Sequence, residues 1–195
     1  MMMTMLRLAL LAAVGIAAIA PASAQPGGTL GCAIREMPAE ARASLRSIYA
    51  RNGLNVTAEQ LVPRAVVDRI AACLPAETPD RNERLSQLVA GLMSYEMMNA
   101  ALDSLESRHS VRRTAVEAAW PQLSADEKLA LLPPGQRGDQ VPRSSSRDAV
   151  LRFAGMVRPS ITARNAASRR NAPVMQDLLV YAISRAVVEN MAGRD

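Results

Sequence analysis

Apolar positions in this chain recur at helical spacing, and the alternating β-branched runs that mark strands are scarce. Alanine is abundant, and Pro, Ser, Thr and Asn stand at the points where apolar runs begin, so an all-α protein is predicted. Met37-Pro38-Ala39-Glu40 places proline in a first turn and an acid near the positive end of the helix dipole. It predicts a helix that buries Ala41, Leu45, Ile48 and Tyr49 and stops at Asn52-Gly53. Thr57 with Gln60 makes a capping-box pattern for a second helix reaching Leu74 before Pro75, kinked or split at Pro63.

Thr78-Pro79-Asp80 opens the longest predicted helix, running to about Arg108. Leu85, Leu88, Val89, Leu92, Met93, Met97, Met98, Leu102 and Leu105 cover more than one of its faces, as a central helix requires. Ser110 heads a shorter helix through Trp120, ended by Pro121. Ser124 with Glu127 forms a capping box for another, which reaches Leu132 before Pro133-Pro134-Gly135. After an exposed loop from Gln136 to Ser144, Ser145 and Asp148 cap a helix bearing Val150, Leu151, Phe153 and Val157. A short helix is expected over Ser160 to Arg169. Asn171 and Pro173 then open a last amphipathic helix with Val174, Leu178, Leu179, Ile183, Val187 and Met191, closed by Gly193. Arg64-Ala65-Val66-Val67-Asp68 recurs as Arg185-Ala186-Val187-Val188-Glu189, but this isolated recurrence sets no solenoid period. The expected fold is an irregular helical bundle of about six to seven helices.

The first 24 residues read as a cleaved secretory signal. Arg7 is their only charge, an apolar run of about 15 residues reaches Ala20, and Ala22-Ser23-Ala24 supplies the small-x-small cleavage pattern. That run is shorter than the roughly 20 residues a membrane span needs, and no later segment is apolar enough to cross a bilayer. Residues 25–195 then form a single exported helical domain, expected in the periplasm or, as the alternative, outside the cell. Export gives Cys32 and Cys73 an oxidising compartment, and a single disulfide between them is expected. The first two helices, joined by a short turn, are expected to pack antiparallel and bring the two cysteines together as a disulfide-linked hairpin.

Charge is unevenly distributed. Residues 25–107 carry a net −2 and residues 108–195 a net +6, and the basic groups are arginine except for Lys128. The excess concentrates in Arg137, Arg143, Arg147, Arg152, Arg158, Arg164, Arg169 and Arg170, opposed within that segment only by Asp139 and Asp148. Guanidinium groups bind phosphate and carboxylate bidentately, so the segment is a candidate anion-binding surface for lipid headgroups, lipopolysaccharide or cell-wall acids. Compositional bias alone would also place arginines here. Nucleic acid is not expected, because aromatic residues are only 3% of the chain and do not interleave with the arginines.

Catalytic constellations are thin. His109 is the only histidine, so the Glu106-x-x-His109 spacing cannot be repeated as helical di-iron sites require, and an exposed helix end is expected there. Met93, Met97 and Met98 could hold a soft metal but read as core residues. No nucleophile elbow surrounds any serine, Ser144-Ser145-Ser146 reads as a loop and cap, and no glycine-rich phosphate loop is present. Paired carboxylates, with Glu96 or Asp103 facing another helix, are the remaining route to a hydrolase, though sugar-stacking aromatics are scarce. The expectation is a non-catalytic protein without metal or cofactor that binds an envelope component, with an anionic envelope surface as the alternative ligand.

Overall fold

A computed structural model describes residues 27–52 and 64–193. The expected signal segment, the Gly53 stop, the Thr57 cap and Pro63 lie outside the described residues. Among the described residues, eight α-helices and no strand are present: α1 (Gly28–Glu36), α2 (Ala39–Asn52), α3 (Arg64–Ala71), α4 (Arg81–His109), α5 (Arg113–Ala119), α6 (Ala125–Leu131), α7 (Ser146–Val157) and α8 (Ala172–Ala192). No helix among the described residues is long and apolar enough to cross a membrane.

The framework is α4 packed along α8. Asp177, near the start of α8, meets Ser104 and His109 at the end of α4, while Met191, near the end of α8, lies against Gly91 of α4. The two helices are therefore antiparallel. They are buried on several sides, so their apolar residues spread around the helix rather than forming one stripe. On one end α1 and α3 join them around Leu30, Ile34, Met37, Ile70, Leu88 and Leu92. On the other, α5, α6 and α7 close over a larger core, where Trp120 meets Phe153 and Tyr181 edge-on and Phe153 stacks on Tyr181 at 5.8 Å. Val188 belongs to the first core and Val187 to the second.

The caps at Ser124 and Ser145 form as their spacing requires. Ser124 accepts from the Glu127 amide while the Glu127 carboxylate takes the Ser124 amide, and Ser145 accepts from the Asp148 amide. Cys32 and Cys73 are bonded, with their Cα atoms 5.7 Å apart. The bond starts from α1, a helix that Gly28, Thr29 and Gly31 conceal in the sequence and that burial of Leu30, Ala33 and Ile34 supports. Ser110 does not start a helix. It closes α4 in a left-handed conformation, φ 54°, with its amide on the Leu105 carbonyl. The helix expected over Ser160 to Arg169 is a series of turns, because Asn165 and Asn171 side chains take the backbone groups a helix would pair.

Candidate functional site

Arginine has two distinct employments here. Arg42 donates to the Ile34 and Met37 carbonyls, Arg81 to those of Ala71, Leu74 and Pro75, and Arg137 to those of Ala130 and Leu132. Each guanidinium fork thus satisfies the orphan carbonyls at the end of a short helix, α1, α3 and α6 respectively. Arg152 is also engaged, donating to both Glu127 oxygens at 2.8 and 2.6 Å. Burial alone would raise the Glu127 carboxyl, but the hydrogen bonds from Arg152 and Ser124 outweigh it and hold it below the usual range.

The other six residues of the candidate surface, Arg143, Arg147, Arg158, Arg164, Arg169 and Arg170, form no ion pair among the described residues. They are not one patch. Arg143 and Arg147 sit at the start of α7, where the Arg143 and Ser144 amides bind Asp126 and hold its carboxyl low. Arg158, Arg164, Arg169 and Arg170 lie beyond its other end, about 18 Å away along a 12-residue helix.

His109 is not at an exposed helix end, and Glu106 is not its partner. Its Nε2 lies 3.2 Å from Asp177 Oδ2, with 16% of the side chain exposed. The Ser104 hydroxyl donates to the same oxygen at 2.6 Å, and the Tyr49 hydroxyl donates to Oδ1 at 3.1 Å. Burial, and then the Asp177 charge, push the Tyr49 hydroxyl far above the ordinary phenol range. Serine, histidine and tyrosine therefore converge on one carboxylate, and the serine proton is directed at Asp177 instead of at the imidazole. A triad needs the reverse order, with histidine between serine and acid. The signal for this cluster was an acid on an apolar face: Asp177 shares the inward side of α8 with Val174, Leu178 and Tyr181.

Glu96 repeats that signal on α4. It is 1% exposed, accepts from Arg46 Nε at 2.9 Å, and has Arg42 Nε at 3.9 Å. Asp103 pairs with Arg46 at 3.6 Å and Arg113 at 2.8 Å. Arg46 thus bridges the two candidate acids, and each faces arginine across the helix packing rather than a second carboxylate. No group of three or more His, Cys, Asp or Glu among the described residues is placed to hold a metal.

A groove of about 450 Å³ opens between the first turn of α1, the 74–79 loop, α4 and the end of α8. Leu30, Leu74, Leu88 and Met191 give it apolar walls, and its charged groups, Glu77 and Arg84, are of opposite sign, so no ligand class is selected. Comparison with protein families, curated proteins and solved structures finds no match for this chain.

Proposed function

We propose that this chain is an exported, non-catalytic helical protein that acts by binding another component of the cell envelope. The Cys32–Cys73 bond carries the reading, since a disulfide in a small helical domain persists where the compartment is oxidising. The Asp177 cluster supports binding over catalysis, because its histidine, serine and tyrosine hold α2, α4 and α8 together through one buried acid. The test is to tag the C-terminus in the native cell, crosslink the envelope, and identify what co-purifies at low and high salt. A stoichiometric protein retained in high salt is the expected result. Recovery of the chain in the cytosol with both thiols free would overturn the proposal.

A second reading is direct association with an anionic envelope surface, favoured by the six arginines that lack carboxylate partners. It requires envelope binding that salt releases, because exposed charges are screened beyond about 10 Å at 0.1 M salt.

A further inference from the structure

No Asp or Glu occurs between Asp148 and Asp177, while five arginines do. Arg152 is taken by Glu127, which leaves Arg158, Arg164, Arg169 and Arg170 in the 158–171 connection between α7 and α8. That connection is pinned from within. Asn165 Oδ1 accepts from the Thr162 amide at 2.8 Å, Asn165 Nδ2 donates to the Ser160 carbonyl, and Asn171 Nδ2 donates to the Asn165 carbonyl. Ile161, 3% exposed, and Ala166 anchor it to the aromatic core. The exposed Arg164, Arg169 and Arg170 and the half-buried Arg158 therefore project from a fixed backbone, which lowers the ordering cost of binding.

The neighbouring end of α4 adds to the charge. The contacts of Ser104 and His109 with Asp177 bring it beside the first turns of α8, and Arg108 and Arg112 are exposed there. Acids near this end include Asp177, which is buried, Asp103, which is paired with Arg46 and Arg113, the exposed Glu106, and the half-buried Glu117, whose charge reaches Tyr181. The excess is cationic, with Arg108, Arg112, Arg164, Arg169 and Arg170 exposed and Arg158 half-buried. Such an array matches many phosphates at once better than a single small anion. The exposed large hydrophobic among the described residues is Val141, ahead of α7, so this corner presents no fully exposed large apolar side chain to hydrocarbon.

We infer that residues 158–171 form a peripheral docking surface for a layer of anionic phospholipid headgroups. This rests on the anionic-surface reading and narrows it to one end of α7. Binding is electrostatic, through guanidinium–phosphate contacts, and leaves the chain outside the hydrocarbon.

The experiment is flotation of the full chain, isolated from its native cell, with phosphatidylcholine vesicles with and without phosphatidylglycerol. Wild type is expected to float only with the anionic vesicles and to be released as salt rises from about 0.05 to 0.5 M. Replacing Arg158, Arg164, Arg169 and Arg170 together by Gln is expected to cut partitioning at least about tenfold. Arg143→Gln with Arg147→Gln is expected to change it by less than about twofold. Circular dichroism of both variants confirms that the fold is retained. Loss confined to the Arg143/Arg147 pair overturns the corner while leaving the anionic-surface reading in place. Failure of wild type to float at low salt overturns both. Displacement by inorganic phosphate at matched ionic strength indicates a single-phosphate site and overturns the membrane-surface inference.

Discussion

Where α1 and α3 meet α4, the buried side chains are aliphatic apart from Met37, the helices are nine and eight residues long, and a disulfide ties them. Where α5, α6 and α7 meet the same framework, Trp120, Phe153 and Tyr181 fill the core, and a capping box at Ser124, a serine cap at Ser145 and the Arg152–Glu127 ion pair fix the helix ends. Helices of eight or nine residues are marginal in isolation. The aromatic end compensates by burying large side chains, and the stapled end by restricting the unfolded chain. Packing and crosslinking thus stand in for one another in one bundle.

Removing the aromatic contribution is expected to have the largest effect. Phe153 is fully buried between Trp120 and Tyr181, so Phe153→Ala should cost about 4 kcal/mol in urea unfolding. Because α4 and α8 run through both cores, circular dichroism and Trp120 fluorescence should shift together. Separate transitions would mean that the two ends unfold independently.

Next comes the staple. With the cysteines 41 positions apart, chain entropy allows about 4 kcal/mol, and Cys32→Ser with Cys73→Ser should lose about 3 kcal/mol. A loss below about 1 kcal/mol would show that Leu30, Ile34 and Ile70 hold the short helices without it.

The ends should also separate by pH. Glu127, at the aromatic end, is held below the ordinary glutamate value of 4.5. Its contribution is therefore complete above about pH 4.5 and is lost as pH falls through the lower folded value. Glu127→Gln should cost about 1–2 kcal/mol at neutral pH and flatten acid unfolding. Tyr181 has the opposite sign: burial raises its hydroxyl from 10.0 to about 12, so stability present below pH 10 is lost as pH climbs toward 12. Tyr181→Phe should soften that alkaline loss. Unchanged acid and alkaline profiles in the two variants would remove these groups from the account.

The aromatic end was also the more legible in sequence. Its Ser124 and Ser145 caps are local chemistry, readable within four residues, whereas α1 is stabilised by partners distant in sequence and begins on glycines that disfavour helix. The disulfide was legible from cysteine number and expected export, but the helix carrying Cys32 was not. The candidate surface was readable as charge only. Which arginines cap helices, as Arg137 does, and which stay unpaired depends on where carbonyls and carboxylates arrive in three dimensions. The same holds for Asp177, whose three partners come from α2 and α4.

The smallest expected effect probes the seam between the cores. Met191 packs against both, and its thioether occupies the space that a side chain at Gly91 would need. Gly91→Ala gains about 0.5–1 kcal/mol of helix propensity but forces Met191 to move, so a net loss below about 1 kcal/mol is expected. Leu30 would meet the new methyl at 3.4 Å, an ordinary contact, so Met191 should account for the cost. In a Met191→Ala background the propensity gain is unopposed, and Gly91→Ala should stabilise by about 0.5 kcal/mol. The change of sign is the informative quantity, because it measures how closely α4 and α8 approach where the aliphatic core gives way to the aromatic one. Equal effects in both backgrounds would show that glycine is not required for that approach.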